Sequence, residues 1–198
     1  MQVTDKTTPQ EFFEKMLPKL ATSKAGDLSA EQKAVNHAVG VALTGTGGGS
    51  WTLSIEGGAL KVAEGISATA NPVVSLSVED WRGIMTGKKA MLAAAGGANL
   101  MAIDPSKFKP ALIDRIKPIK GTICFVVEDP DQGDLRVTIK FGEGAPEQPQ
   151  CTVSTDVETA KATQTGALNP QAAFMQGKVK IVGDMNLAMQ VGSLAMVQ

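Results

Sequence analysis

Several side chains that enzymes depend on are rare or missing in this chain of 198 residues. Tyrosine is absent, the one histidine is His37, and the two cysteines are Cys124 and Cys151. A Ser-His-Asp or Cys-His nucleophilic site would have one available base with no supporting motif, and a zinc site would need His37 and two distant cysteines. We therefore expect no catalytic site, no metal and no other cofactor. His37 is expected at the surface or on a helix, and both cysteines in strands as buried, unreactive residues.

An excess of charge of one sign and long apolar runs are also lacking. The 19 Lys+Arg and 20 Asp+Glu leave a net charge of -1, and no basic run is long enough to follow a nucleic-acid backbone. No apolar stretch approaches the roughly 20 residues that span a bilayer. Residues 1–13 lack the basic start and apolar run of a secretory signal. We expect a soluble, cytoplasmic protein that does not bind nucleic acid.

Two glycine-rich segments invite a nucleotide-binding interpretation, and neither fits it. Residues 45–50, GTGGGS, lack the Lys that follows the last Gly of a P-loop, and they join two predicted strands. Residues 83–88 have three residues between their glycines where a P-loop has four. We predict a hairpin loop for the first segment and a helix end for the second.

The chain does contain an internal repeat. The string VSLSVE at residues 74–79, followed by Thr86-Gly87, recurs as VSTDVE at residues 153–158, followed by Thr165-Gly166, with an offset of 79 throughout. Upstream, Thr8-Pro9 and Asp104-Pro105 each supply a helix N-cap and a Pro at the first helical position, and each is followed by one apolar helix face. The repeat predicts two related units, at residues 1–100 and 101–198.

Short alternating runs predict the strands of each unit. They lie at residues 39–43, 51–55, 60–63 and 73–78 in the first unit, and at 123–127, 135–141 and 151–157 in the second. Gly- and Pro-rich turns separate them, so we interpret each set as an antiparallel meander. The small residues around 93–103 suggest the junction between the units.

Only the second unit continues into an apolar tail, residues 166–198. Asn169-Pro170 predicts a helix start, a Gly stop and a short strand follow, and Asp184 is expected to cap a terminal helix. On that helix one stripe contains Met185 and Met189, and another contains Leu187 and Val191. We therefore expect the terminal helix to be buried on two sides.

The order of these elements and the motifs of the tail resemble the sterol carrier protein two family. The residues that carry the resemblance are Thr165-Gly166, Asn169-Pro170-Gln171, Ala173-Phe174, Gly177-Lys178, Lys180-Ile181, Gly183-Asp184-Met185 and Leu187-Ala188-Met189. The resemblance implies an α+β fold with an antiparallel or mixed five-stranded sheet and helices on one side. It also implies an apolar cavity between sheet and helices that takes sterols, fatty acids or acyl-CoA. The first unit has Thr86-Gly87 but not the tail, so it resembles a diverged copy.

We therefore expect a non-catalytic protein that binds a hydrophobic lipid and transfers it within the cell, with transient membrane contact as an option. The expected cavity lining is Phe174, Met175, Ile181, Met185, Leu187, Ala188, Met189 and Val191, with Lys178 and Lys180 near a headgroup or simply solvated. Methionine suits variable ligands because its side chain is unbranched and polarizable. Two alternatives stay open: a scaffold module whose core these side chains fill, and an accessory domain to a lipid-metabolising enzyme.

Overall fold

One mixed sheet of eight strands runs through both halves of the chain. The computed structural model describes residues 3–24, 29–89 and 110–194. The first half contributes β1 (His37–Thr44), β2 (Gly49–Glu56), β3 (Ala59–Glu64) and β4 (Val73–Ser77). The second half contributes β5 (Gly121–Glu128), β6 (Leu135–Phe141), β7 (Cys151–Asp156) and β8 (Val179–Gly183). The predicted strands are confirmed, with small differences at their ends; the predicted junction and the Asp104-Pro105 helix start lie outside the described residues.

The helices fall mostly at the predicted places. They are α1 (Pro9–Glu11), a π-helical turn (Phe12–Met16), α2 (Leu17–Lys24), α3 (Ala30–Lys33), α4 (Val78–Met85), α5 (Pro110–Ile116), α6 (Val157–Gln164), α7 (Pro170–Met175) and α8 (Met185–Leu194). The N-cap predicted at Thr8 is confirmed, because its hydroxyl accepts a hydrogen bond from the Glu11 N–H at 3.1 Å. No helix within the described ranges is long and apolar enough to cross a membrane.

Strand direction departs from a simple meander. The pairs β1–β2, β2–β3 and β5–β6 are antiparallel as predicted, but β4 runs parallel to β1 and β7 runs parallel to β5. The prediction of meanders throughout is therefore wrong for β4 and β7. The connections give the reason. Residues 65–72 return the chain from the end of β3 to the end of the sheet at which β1 starts, and residues 142–150 lead from β6 past the start of β5 to its other side.

The repeat is visible in matching helix caps. Ser77 caps α4 by accepting a hydrogen bond from the Asp80 N–H at 2.9 Å, and Asp156, 79 residues later, caps α6 through the Thr159 N–H at 2.7 Å. Both helices then end at a Thr followed by a Gly with positive φ, 75° at Gly87 and 77° at the equivalent position of the second half. The two halves therefore repeat a strand, cap, helix and stop in the same order.

The halves join edge to edge. The strand order is β3-β2-β1-β4-β6-β5-β7-β8, and β4 pairs with β6 in antiparallel fashion. β4 and β7 are equivalent strands of the two halves. β7 pairs with β8 of its own half, whereas the same side of β4 pairs with β6 of the other half. β2 and β6 are equivalent in the same way. β2 pairs with β3 of its own half, whereas the same side of β6 pairs with β4 of the other half. Each half thus supplies an edge partner to the other, and the described residues form one eight-stranded sheet in place of a five-stranded sheet per copy.

Helices of both halves pack on one face of the sheet, and the α+β fold class is confirmed. A continuous core joins inward side chains of every strand to side chains of the first helical segment and of α4, α5 and α8. Representative members are Phe13, Val41, Trp81, Ile116, Ile139, Phe125 and Val191. The opposite face carries many small and polar side chains, among them Ala42, Ser54, Ser75, Thr138 and Ser154, together with the apolar Val126 and Val182. The two faces of the sheet therefore offer different chemistry to a ligand.

Candidate functional site

The tail begins with a helix whose start and stop are set by local chemistry. The Asn169 side-chain oxygen accepts hydrogen bonds from the Gln171 and Ala172 N–H groups at 2.8 and 3.3 Å, capping α7. Gly177, with φ 71°, ends the helix, and its N–H donates to the Phe174 carbonyl at 2.9 Å. The chain then enters β8, which pairs with β7 and has no second strand partner among the described residues.

A tight turn, which we call the corner, connects β8 to α8. Gly183 has φ 99°, and a Cβ at this position would lie 2.2 Å from the Gln150 carbonyl oxygen, so only glycine fits. The Asp184 N–H donates to the same carbonyl at 2.9 Å, and the Asp184 carboxylate accepts from the Leu187 N–H at 3.1 Å. The predicted cap of the terminal helix is thereby confirmed. The corner directs α8 back over the helix-covered face of the sheet.

One side of α8 is packed into the core. Leu187, Ala188 and Val191 are 3%, 8% and 2% exposed, and the helix contacts α5, β5, β7 and β8. Gly121 at the start of β5 makes room for this packing, because a Cβ there would lie 2.9 Å from Leu187 Cδ2. These three predicted cavity residues therefore contribute to the core.

The other side of α8 is open. Met185 is 44% exposed and Met189 is 68% exposed, so the prediction that this helix is buried on two sides is wrong. The sheet covers only the Leu187 and Val191 side, and no described element covers the methionine side. Because this helix is apolar around much of its circumference, its sequence does not indicate which side packs against the sheet.

The exposed apolar side chains of the tail form what we term the tail patch: Phe174, Met175, Val182, Met185 and Met189. Both α7 and α8 pack against β8, so the patch surrounds this edge strand. Ile181 is half-buried on the helix-covered face, whereas Val182 points to the opposite face. Val182 is not among the sequence-predicted residues; strand alternation next to Ile181 is the signal that identifies it. Lys178 and Lys180 are exposed beside the patch.

The first half fills the space under its helices with aromatic rings. Phe13 stacks on Trp51 with ring centroids 4.6 Å apart, and Phe12 meets Trp81 edge-on at 5.6 Å. Trp81 is fully buried. These four rings close the core of that half by dense packing.

Equivalent positions in the second half carry smaller side chains. Strand pairing makes Val137 the counterpart of Trp51, and the 79-residue offset makes Ala160 the counterpart of Trp81. Two indole rings are thus replaced by an isopropyl group and a methyl group. The two halves share a topology but differ in how their helix–sheet interiors are filled.

A separate concave pocket of about 870 Å³ lies on the opposite face of the sheet, in the first half. Its floor includes Ala38, Thr52 and Ser54, and residues 65–69 form one wall. His37 also lines it, as the half-buried first residue of β1. Its position on the helix-free face distinguishes this pocket from the apolar cavity that the resemblance implies.

The titratable groups follow their surroundings. Burial lowers the pKa of His37 from 6.5 because it penalises the charged imidazolium, and nearby Lys117 acts in the same direction. Burial raises the pKa of the Cys151 thiol, as expected for an unreactive cysteine. The N–H hydrogen bond from Thr159 lowers the pKa of Asp156. Across the described ranges, no three His, Cys, Asp or Glu side chains come together to hold a metal ion.

Two copies of one topology, sharing a mixed sheet with helices on one face, define a tandem α+β protein whose second copy ends in an apolar helix–strand–helix tail. The SCP-2 sterol transfer family matches this chain twice, over residues 13–98 and 104–196. The chain therefore belongs to that family, and the resemblance seen in the sequence is confirmed.

Named relatives match part of the chain. Sterol carrier protein 2 of Rattus norvegicus is 38% identical over 87 residues, covering 40% of this chain and 16% of that protein. The chain thus aligns with about a sixth of the length of that relative. The sterol carrier protein domain 2 of Helicoverpa armigera is 30% identical, with a TM-score of 0.32, covering 43% of this chain and 71% of that one. Palmitated SCP2L2 from Aedes aegypti is 20% identical, with a TM-score of 0.37, covering 54% and 94%.

Proposed function

We propose that the chain is a non-catalytic carrier that binds one hydrophobic lipid, a sterol, fatty acid or acyl-CoA, and transfers it. In this proposal residues 101–198 hold the ligand, and residues 1–100 are a diverged structural copy. Family membership supports lipid binding and transfer in general. The tail patch is the observation that carries the proposal for this particular half.

The apolar groups on the helix side of β8 suit an acyl chain or a sterol ring system. Phe174, Met185 and Met189 are exposed on the two helices that flank β8, and half-buried Ile181 lies on the strand between them. A ligand lying along β8 would cover these groups. Each CH₂ removed from water contributes about 0.8 kcal/mol, so a long chain binds tightly without a covalent bond, even after ordering costs.

The same arrangement offers cations at one end of the ligand. Lys178 and Lys180 are exposed on and just before β8, and no salt bridge joins either lysine to another described residue. A carboxylate or phosphate headgroup near them would gain a charge-assisted hydrogen bond without first breaking an ion pair. We assign these lysines to headgroup contact.

The aromatic filling of the first half supports placing the ligand in the second. The stacked Phe13 and Trp51 rings and fully buried Trp81 leave the first core closed. The second half has Val137 and Ala160 at the equivalent positions, and α8 packs against β5, β7 and β8 of that half after the turn at Gly183. A small displacement of α8 would open the space beneath it to a ligand, whereas the first half has no counterpart of α8 among its described residues.

One observation favours a second candidate, a scaffold module with a filled core. Leu187, Ala188 and Val191 already occupy the space beneath α8. If α8 never moves, the tail is core on one side and contact surface on the other. The two candidates differ in whether a lipid enters.

Extraction of the purified protein with organic solvent, followed by mass spectrometry, tests the carrier proposal. We expect a co-purifying lipid in near-stoichiometric amount and saturable uptake of a fluorescent fatty acid by delipidated protein. Phe174→Ser should weaken uptake more than Ile66→Ser, a matched change at an exposed apolar residue of the first half. A lipid-free protein that takes up neither fatty acid nor sterol would reject the carrier and favour the scaffold.

A further inference from the structure

We propose that the pocket on the helix-free face of the first half binds a small hydrophilic molecule that carries hydroxyl groups and an ammonium group. The pocket lies in the other half of the chain from the proposed lipid site, and on the other face of the sheet. The juxtaposition that carries the inference is a floor of small side chains beside a hydrogen-bonded wall, residues 65–69, with an acidic lining. Binding there does not depend on the carrier proposal.

Small side chains form the floor of the pocket. Ala38 pairs with Ser54 across β1 and β2, Thr52 pairs with Ala63 across β2 and β3, and all four side chains point away from the helices. None of them is larger than threonine, so the surface lies low between the wall and the turn that joins β2 to β3. The resulting volume of about 870 Å³ is within the range of small-molecule sites, roughly 300–1,000 Å³.

Hydrogen bonds hold the wall in place without a ligand. The hydroxyl of buried Thr52 donates to the Gly65 carbonyl at 2.7 Å and accepts from the Ser67 N–H at 2.8 Å. Just beyond the wall, the Asn71 N–H donates to the Ala38 carbonyl at 2.8 Å. The wall is thereby tied to both β2 and β1. A ligand would enter a pre-formed site, which lowers the entropic cost of binding.

The corresponding place in the second half is filled. Strand pairing and the 79-residue offset make Thr122 the counterpart of Ala38, and Lys140 the counterpart of Ser54. The Thr122 hydroxyl and the Lys140 ammonium both bond to the connection at residues 142–150, the first to a carbonyl and the second to a carboxylate. Larger side chains thus bridge floor and connection there, whereas the first half keeps the space open.

The lining offers hydrogen bonds and negative charge. Ser54 supplies a hydroxyl group from the floor, and Ser67 and Thr69 supply two from the wall, where their oxygens lie 2.9 Å apart. Glu56 and Glu64 are the acidic residues of the lining, and no lysine or arginine is among the described residues that form it. The hydroxyl groups match those of a ligand, and the carboxylates match an ammonium group, because a charged partner roughly doubles the strength of a hydrogen bond.

Neighbouring charges leave this preference in place. Lys61 forms an ion pair with Glu56, but both side chains are more than half exposed, so the pair contributes little and a ligand amine can replace it. No salt bridge joins Glu64 to another described residue. Burial lowers the pKa of His37, so its imidazole adds no positive charge to the lining at neutral pH. A carboxylate or phosphate ligand, including the fatty acids and acyl-CoA of the carrier proposal, would be repelled.

Three sugars with the same ring test the charge preference: glucosamine carries an ammonium group, glucose is uncharged and glucuronate carries a carboxylate. In NMR chemical-shift titrations of the full chain, glucosamine should bind about tenfold more tightly than glucose, and glucuronate more weakly than either. Glu56→Gln should weaken glucosamine binding about fivefold and leave glucose binding within about twofold of the wild type. The matched change Glu143→Gln, at an exposed acid of the second half, should alter neither.

Filling the pocket provides a second test. Ala63→Trp places an indole ring over the floor and should abolish glucosamine binding, whereas Ala63→Ser should retain it. Ser54→Leu is the alternative filling variant if thermal unfolding shows that Ala63→Trp does not fold. Fatty-acid uptake should be unchanged in all of these variants, so this site and the carrier proposal fail in separate assays. Equal affinity for the three sugars, an equal loss in Glu143→Gln, or undiminished binding by a folded filling variant would overturn the site. So would failure of all three sugars to bind.

Discussion

Replacing Met189 with serine is expected to weaken lipid binding without unfolding the protein. Met189 lies on the open side of α8 and is 68% exposed, so little of its side chain contributes to the core. Burying a whole methionine side chain contributes about 1.5–3 kcal/mol. If a ligand covers the exposed two thirds, the variant loses about 1–2 kcal/mol of binding free energy, which corresponds to about a 5- to 30-fold rise in Kd.

The measurement is a fluorescence titration of delipidated protein with a fatty-acid probe, accompanied by thermal unfolding of each variant. Ile66→Ser is the matched control, since Ile66 is exposed in the first half and lies on the helix-free face near the pocket. A variant with unchanged Tm and a Kd within about twofold of the wild type would refute the reasoning, because the ligand would then not cover the open side of α8.

Three further predictions concern the scaffold around the site. Gly183→Ala should destabilise the protein by about 2 kcal/mol or more in urea unfolding, because of its φ of 99° and the contact with the Gln150 carbonyl; a near-neutral change would contradict this description of the corner. Trp81→Ala should cost about 3–5 kcal/mol in the same assay by leaving a cavity. A loss below about 1 kcal/mol would show that the ring does not fill the first core. Folding lowers the pKa of His37 below 6.5, so the unfolded chain takes up the proton more readily than the folded one. The free energy of unfolding should therefore decrease as the pH falls below 6.5. His37→Gln should flatten that part of the pH–stability curve, and an unchanged slope would assign it to other groups.

Much of the fold is visible in local sequence chemistry. The caps at Thr8 and Asp184 are confirmed, and so are the strand runs, because a capping side chain acts within three residues and strand alternation within six or so. The cysteines are buried as predicted. His37 is half-buried at the start of β1 and belongs to no helix, since a polar residue at a strand end has no sequence pattern of its own.

The site is less visible, for a physical reason. Leu187 and Val191 form one stripe of α8, and Met185 and Met189 form another; both stripes are apolar. The hydrophobic effect is non-directional and acts on either stripe. Which stripe meets the sheet depends on the corner at Gly183 and on the space that Gly121 leaves for Leu187. The Gly183–Gln150 contact spans 33 positions of the chain and the Gly121–Leu187 contact spans 66, so no local pattern encodes them.

The amino-acid sequence establishes the duplication, the elements of each copy, their caps and the apolar tail that the second copy alone keeps, because each of these follows from chemistry over a few neighbouring residues. Three features emerge only from tertiary pairing: the antiparallel β4–β6 joint that makes one sheet of two copies, the parallel placement of β4 and β7, and the open side of α8. Strand partnership depends on backbone hydrogen bonds between segments distant in the chain, and those bonds form between any two backbones that packing brings together.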